Sequence, residues 1–412
     1  MAPPIAGQRL AGSIDVTLQP METLLLAALA LILGRLVNRL IPVLSRYSIP
    51  EPITGGLLVS ICLALANVVS DFSLQFDTSM KAPLLLAFFS AVGLSANLGM
   101  LKHGGKRMVL VVLALAPFLV LQNLLGVLMA WGLDLHPLMG LVGGTITLVG
   151  GHGTGAAYAE RFAEVYNLQS IMELSMTSAT LGLVVGGILG GPLAQWLLKR
   201  HKVAAATGQG AHHEIVGDER TPPVTSGNFL TVLTATLVAL VAGQLLAGQF
   251  SGGAVTLPSF VWCLLLGVAI RNTLPLVGVR LNDGAIDLLG SITLSLFLVM
   301  TMMALDLSHV ASVAGPLLLM LLGQSILALL YGALVFFRAT GRDYESVVLS
   351  AAFCGFAIGA TATAVANMQA IAHKYGPAPE AFIIAPLVGA FLIDLLNALV
   401  LTGYLAIPGI GG

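Results

Sequence analysis

The chain has 412 residues, of which 57% are hydrophobic and 9% charged, with a formal net charge of −1. A soluble domain carries about 25% charged residues, so the composition excludes an ordinary water-soluble globule. Nor do 18 basic side chains set against 19 acidic ones leave a basic face for nucleic acid.

Residues 1–20 read as an external N-terminal tail with Arg9 as its cation. About 20 apolar residues cover the hydrocarbon core of a bilayer. Segments of that kind lie near 22–42, 53–70, 83–101, 108–132 and 170–198, and again near 228–248, 257–275, 288–306, 313–337 and 380–404. The first is long enough to span, so it reads as a membrane helix and not as a cleaved signal peptide. Two further stretches, 138–160 and 347–372, are apolar but dense in Gly, Ala and Thr, and read as re-entrant hairpins or broken helices. If either were a full crossing, the topology would change. The polar segment 199–227, with His212-His213-Glu214, reads as a solvated cytoplasmic linker between an N-terminal repeat, 21–198, and a C-terminal repeat, 228–406. Cys62, Cys263 and Cys354 have neither disulfide nor metal spacing and read as small buried packing residues.

The two sets match in order. At an offset of 209, Gly150 aligns with Gly359, Thr154 with Thr363, Tyr166 with Tyr375 and Asn97 with Asp306; Gln122 meets Gln324 after the register slips. Weak internal symmetry of this kind marks repeat-built transporters. An odd number of crossings per repeat makes the second repeat enter from the opposite face. Charge tests this independently: with the N-terminus outside, only Arg9, Lys81 and Arg161 of the 18 Lys and Arg residues fall on the external side, as the positive-inside rule requires. The expected fold is an all-α polytopic membrane protein. It is an inverted repeat of two five-helix halves, each with a re-entrant hairpin, and both termini lie outside.

The first hairpin carries Gly150-Gly151-His152-Gly153-Thr154-Gly155 and the second carries Gly355-Phe356-Ala357-Ile358-Gly359-Ala360-Thr361-Ala362-Thr363. Backbone that leaves a helix at membrane depth needs new partners, so it is tolerated only inside protein or beside a cavity. Glycine lets backbone approach a ligand closely, and free N–H groups at a helix start favour an anion. Glycine also serves helix packing, but its density around His152 and Thr154 favours a site. Paired breaks of this kind point to a solute carrier. Thr145, Thr147, Thr361, Thr363, Asn367 and Gln369 supply oxygens and amides near the breaks, and hydroxyls with unwound carbonyls suit sodium. His152 reads equally as a ligand donor or as a structural histidine.

An ionisable residue within a membrane span is a functional candidate. Asp394 is one, with Asn397 three residues on along the same face; ion coordination and hairpin anchoring are both open to it. Asn97, Gln122 and Asn123 are amides within apolar segments, read as ligands or as helix–helix bonds. No Lys or Arg falls at mid-membrane, and Arg161, past the first hairpin, is the nearest.

The runs IPEPITGGLL at 49–58, PLLLAFFSAVGLSANL at 83–98 and HPLMGLVGGTITLVGGHGTGAA at 136–157, with ANMQAIAHKYGP at 366–377 and PLVGAFLIDLLNALV at 386–400, carry a family resemblance. Through them the chain resembles the bacterial glutamate:sodium symporter (ESS) family. The resemblance implies sodium-coupled uptake of glutamate across the bacterial inner membrane, with Na+ as coupling ion and no other cofactor. It also implies a homodimer with a scaffold domain at the contact and a core domain bearing both hairpins, moving like an elevator. By position, Gly150, Gly151, His152, Gly153, Thr154, Gly155, Arg161, Gly355, Phe356, Gly359 and Thr361 are expected at the substrate. Asn97, Thr145, Thr147, Thr363, Asn367, Asp394 and Asn397 are expected at sodium. Where the family reads GFGLGATPTA, this chain has Ala357 and Ala362 in GFAIGATATA, which leaves aspartate or another small carboxylate open as the solute. A membrane enzyme is disfavoured because neither HExxH nor GxSxG occurs. A passive channel is disfavoured because a single inverted repeat makes no symmetric filter.

Overall fold

The computed structural model describes residues 14–46, 49–70, 72–99, 105–168, 170–203, 223–250, 257–305 and 307–411. Arg9, most of the linker with His212 and His213, and Asp306 lie outside the described residues.

Apolar content and capping dictate long helices. In the first half these are α1 (Pro20–Leu40), a short α2 (Pro42–Arg46), α3 (Glu51–Ser70), α4 (Lys81–Ser95), α5 (Gly105–Gly132), α6 (Pro137–Leu141), α7 (Gly151–Tyr166) and α8 (Ile171–His201). The second half holds α9 (Ser226–Gln249), α10 (Ser259–Thr273), α11 (Asp283–Met303), α12 (Leu307–Tyr331), α13 (Phe337–Thr340), α14 (Tyr344–Ile358), α15 (Thr361–Tyr375), α16 (Pro379–Leu387) and α17 (Ile393–Leu405). The starts carry the expected chemistry. Pro20 opens α1, with Glu22 accepting from the Gln19 N–H at 2.8 Å. Asn282 accepts from Ala285 N at 2.9 Å at the head of α11, satisfying a donor that the helix leaves free.

Among the described residues, each apolar segment expected to cross is mainly helical. Among the described residues, seven helices are long and apolar enough to span a membrane by length and composition. The expected crossing at 83–101 is only the 15-residue α4, about 22 Å long at 1.5 Å per residue. The expected crossing at 380–404 is α16 and α17 joined by a π turn over Val388–Leu392. The all-helical expectation also misses a two-stranded parallel sheet, β1 (Ile14–Thr17) on β2 (Phe72–Gln75). It ties the start of the chain to the end of α3.

The helices sort into two bundles. A six-helix bundle holds α1, α3, α4, α9, α10 and α11: α4 packs on α10 and α3 on α11, while α1 packs on α3 and α9 on α10. A hairpin bundle holds α5 to α8 and α12 to α17, with α8 against α14 and α15, and α5 against α6, α12 and α17. In the six-helix bundle, backbones approach closely where both partners lack a side chain. A Cβ at Gly93 on α4 would lie 2.1 Å from the Leu264 carbonyl oxygen and 2.9 Å from Gly267 Cα on α10. The hairpin bundle is held instead by an aromatic cluster. Phe353 on α14 stands 4.7 Å from Phe118 of α5 and 4.6 Å from Phe336, between ring centroids, distances at which aromatic pairs add stability.

Gly93→Val should therefore part α4 from α10. Overpacking of this kind costs about 1–3 kcal/mol or more, so thermal unfolding in detergent should show a clearly lower Tm, with an unchanged Tm refuting the close contact.

Candidate functional site

Two breaks in the hairpin bundle define the site. In the first, α6 runs into a π turn over Val142–Ile146 in which Gly144 leaves the helical region at φ −104°, ψ −131°. The chain then restarts as α7 with Gly151 at φ +66°, a left-handed conformation that favours glycine. In the second, Gly359 (φ −129°, ψ −101°) and the extended Ala360 separate α14 from α15. The departures at Ala357 and Ala362 do not abolish this break. Gly359 and Ala360 carry it, and Ala362 sits in the first turn of α15, where a proline is tolerated but not needed.

Each break belongs to a stretch whose two ends lie close together. The His136 and Tyr166 rings, at the two ends of the first, are 6.0 Å apart between centroids, and the Tyr166 hydroxyl donates to the Gly411 carbonyl near the C-terminus. At the ends of the second, the Tyr344 hydroxyl donates to the Gly376 carbonyl at 2.5 Å. Glu345 accepts from Ala381 N at 2.8 Å. Arg107, at the start of α5, binds Asp343 at 2.6 Å and Glu380 at 2.9 Å. Burial opposes ionisation of Asp343, yet bonds from Arg107 and Ser346 hold its carboxyl below the usual range. That anion also caps α14, accepting from Ser346 N at 2.9 Å.

The two breaks meet at neighbouring residues of α5. Gln122 Nε2 donates to the Ala357 carbonyl at 2.7 Å, beside the second break. Asn123 Oδ1 accepts from Thr145 Oγ1 at 2.9 Å and Thr145 N at 3.3 Å, inside the first. Gln324 of α12 donates to the Gln122 carbonyl at 3.0 Å, and Asn397 of α17 donates to the Thr145 carbonyl at 3.1 Å. Helix α8 closes the other side. Thr147 bonds Ser178 at 2.8 Å, and a Cβ at Gly182 would meet both the Ile358 carbonyl, at 2.3 Å, and the Leu148 side chain, at 2.9 Å. The carbonyls and N–H groups freed by the breaks thus take side-chain amides and hydroxyls as partners, as backbone at membrane depth requires. Four amide atoms of this cluster, Gln122 Oε1, Asn123 Nδ2, Gln324 Oε1 and Asn397 Oδ1, are buried without a hydrogen-bond partner. Buried donors and acceptors left unfilled at such a place call for a partner such as a ligand, an ion or a water.

The expected residues separate into those at the breaks and those away from them. Gly150 to Gly155 form the restart of α7, half-buried at Gly151 and Thr154 and otherwise buried from Gly151 on. His152 is buried and bonds Thr180 of α8 at 3.0 Å. Gly355 and Phe356 are buried at the end of α14, and the Thr361 hydroxyl donates to the Gly389 carbonyl in the α16–α17 π turn at 2.9 Å. Thr363 closes the second break, accepting from Ala360 N at 2.9 Å and donating to Ala360 O at 2.7 Å. Asn367 donates to Gly186 O of α8 at 2.9 Å. Arg161 lies on α7 about 15 Å beyond Gly151 at 1.5 Å per residue, so no cation reaches the breaks by that route. Asn97 is the clearest departure. Its side chain accepts from Gly99 N at 3.0 Å, and the next residue, Leu98, bonds Asn272 of α10. It lies in the turn just beyond α4, in the other bundle, instead of facing a break. The partners of Gln122, Asn123 and Gln324, and the proximity of Tyr158, Ser178 and Thr180, are not evident from the sequence. The available signal is the i, i+4 pairing of Thr154 with Tyr158 on α7.

Replacing Gln122 with Leu strips the Ala357 carbonyl of its donor, a cost of about 1–3 kcal/mol for a buried acceptor. We expect Gln122→Leu to insert into the membrane normally, melt at a lower temperature and transport at least tenfold more slowly. Wild-type transport would show that the α5 amides do not organise the breaks.

The sequence profile described as sodium/glutamate symporter matches residues 16–377. Proteins named sodium/glutamate symporter in Haemophilus influenzae and Escherichia coli are each 41% identical to this chain over 406 residues. The alignment covers 96% of this chain in both cases, with 100% of the first relative and 99% of the second. Among solved structures, a sodium proton antiporter from Methanocaldococcus jannaschii superposes on 95% of this chain and 99% of its own at 14% identity and a TM-score of 0.41, too loosely to define the fold. On the profile and the two relatives, this chain belongs to the sodium/glutamate symporter family.

Proposed function

We propose that the chain is a secondary active transporter that uses the sodium gradient to take up L-glutamate, in the manner its relatives' name states. The observation that carries the reading is that the two helix breaks, the ones before α7 and α15, are both bonded by adjacent amides of α5, Asn123 at the first and Gln122 at the second. Each helix start presents N–H groups without intrahelical partners and the positive end of a dipole. Two such ends suit a solute with two carboxylates, which answers the lack of a basic side chain at the breaks. The glycines Gly150, Gly151, Gly153, Gly155, Gly355 and Gly359, with Phe356, Thr154, Thr361 and His152, form the substrate region. Thr145, Thr147, Thr363, Asn367, Asp394 and Asn397 supply oxygens for sodium. Each net positive charge carried inward gains about 2.3 kcal/mol per 100 mV of membrane potential.

The closed bases of the two hairpins, His136 with Tyr166 and Tyr344 with Gly376, support a re-entrant reading from opposite faces. The reciprocal packing of α4 on α10 and α3 on α11 supports an inverted repeat. In this reading the six-helix bundle is the scaffold, through which two copies pair, and the hairpin bundle is the moving core. Both termini lie outside the bacterial inner membrane. The bundles meet over apolar surface: a Cβ at Gly153 would lie 2.8 Å from Phe88 and 3.1 Å from Leu294 of the scaffold. Among the described residues one ion pair, Lys81 to Glu160 at 3.5 Å, crosses between them and is broken whenever the core moves. Aspartate is the second reading for the solute, favoured by the methyl that Ala357 adds beside the second break.

Labelled glutamate should accumulate above equilibrium in proteoliposomes under an inward sodium gradient and cease to do so without it. Equilibration independent of sodium would indicate a channel, and preferential uptake of aspartate the second reading. Gly153→Leu should abolish uptake without affecting insertion; retained uptake would remove the first hairpin from the site. In a background with Cys62 replaced by Ser, bridging Lys81→Cys to Glu160→Cys with a short bis-maleimide should cut uptake at least tenfold. Undiminished uptake in the cross-linked protein would exclude movement of one bundle against the other.

A further inference from the structure

A cavity of about 450 Å³ opens at the base of the second hairpin, within the span of roughly 300–1,000 Å³ that small-molecule sites occupy. The 15-residue α14 separates it from the break at Gly359, about 20 Å at 1.5 Å per residue. Three elements wall it. The first turns of α5 supply Lys106, Arg107 and Leu110, the α13–α14 turn supplies Gly341, and α16 supplies Glu380 and Ile383.

The charges around it are unevenly committed. Asp343 and Glu380 both bind Arg107, at 2.6 and 2.9 Å. Glu345 is held by the backbone of α16, accepting from Ala381 N at 2.8 Å. Lys106, by contrast, is exposed and takes part in none of the ion pairs among the described residues. The same holds for Arg338 and Arg342, which lie on either side of Gly341 in the chain. The carboxylates are engaged and three cations are left over. One helical turn further in, the lining is apolar: Leu110 follows Lys106 on one face of α5, and Ile383 follows Glu380 on one face of α16. Ile383 is 40% exposed. A cationic rim thus stands over an apolar floor.

We propose that this cavity seats the phosphodiester headgroup of an anionic glycerophospholipid from the cytoplasmic leaflet. The proposal goes beyond the transport reading and takes from it only the sidedness, which the excess of Lys and Arg at this level sets. The phosphate oxygens meet Lys106 and, from the adjoining turn, Arg342, while the acyl chains lie along Leu110 and Ile383. Basic pockets between membrane helices on the cytoplasmic side take headgroups of this kind. A free phosphate would find the cations but leave the apolar floor without an occupant, and a neutral lipid would cover the floor but leave the cations unanswered. Bound there, the headgroup bridges α5 to the α13–α14 turn and adds to the Arg107 pairs in closing the base of the second hairpin. The same α5 carries Gln122 to the Ala357 carbonyl, so the lipid steadies the helix that organises both breaks.

The test uses the purified full chain in a neutral detergent, without sodium or glutamate, titrated with phosphatidylglycerol against phosphatidylcholine at constant total lipid. Wild type should show a saturable rise in Tm with the anionic lipid and none with the neutral one. Combining Lys106→Gln with Arg342→Gln should raise the half-saturating fraction of phosphatidylglycerol at least fivefold, and Ile383→Asn at least twofold. If the double variant does not fold, Lys106→Gln alone decides, at twofold or more. Arg280→Gln, which removes an exposed cation of the six-helix bundle, should titrate as wild type. A double variant that titrates as wild type would overturn the proposal. Equal weakening in Arg280→Gln would overturn it in favour of general surface charge. Inorganic phosphate at matched ionic strength should neither raise Tm nor displace the lipid; displacement would overturn it in favour of a soluble anion. The transport reading stands or falls separately, since these titrations contain neither of its solutes.

Discussion

Peptide groups at membrane depth have no water to bond, and the structure is arranged around that constraint. Where α6 gives way to α7 and α14 to α15, carbonyls and N–H groups leave their helical ladders. The adjacent amides Gln122 and Asn123 take one partner from each break, and Gln324 and Asn397 buttress them from two other helices. α8 offers a small-residue face on which both breaks rest. The same arrangement that makes irregular backbone tolerable starts a new helix after each break, and the proposed function puts an anionic solute at those starts. Stability and binding thus draw on the same few peptide groups.

The division into two bundles follows from what each needs. The six-helix bundle is drawn together by backbone contacts such as Gly93 on Gly267. The hairpin bundle holds the amides, the aromatic cluster around Phe353 and the Arg107–Asp343–Glu380 ion pairs that close the base of the second hairpin. Its contact with the six-helix bundle is mainly apolar, crossed by Lys81 and Glu160. A surface of that kind lets one body shift against another with few polar bonds to remake.

Much of this was legible in the sequence for identifiable reasons. Hydropathy locates the crossings because burial in lipid leaves no other composition available, and glycine density locates both breaks because close backbone approach excludes side chains. The partners of the breaks were not legible: a glutamine in an apolar helix announces that it has a partner without saying which, and only the fold joins Gln122 to Ala357, 235 positions away. Tyr158 reads as packing, since its hydroxyl is invisible to periodicity. Asn97 is expected at the ion as an amide within an apolar segment, yet its side chain accepts from Gly99 N in the turn beyond α4. The π turn in the last crossing was read as continuous helix despite Pro386 and Gly389. The β1–β2 ribbon was too short for alternation to register.

The proposed function depends on both helix restarts facing one shared aqueous chamber in the protein interior. Thr154 and Thr361, half-buried at the starts of α7 and α15, can each be changed to cysteine in a chain freed of its three native cysteines and exposed to a small water-soluble maleimide. The account predicts that both positions label in the absence of solute and are protected together when sodium and glutamate are added. Two positions that never label, or that label without regard to solute, would contradict it.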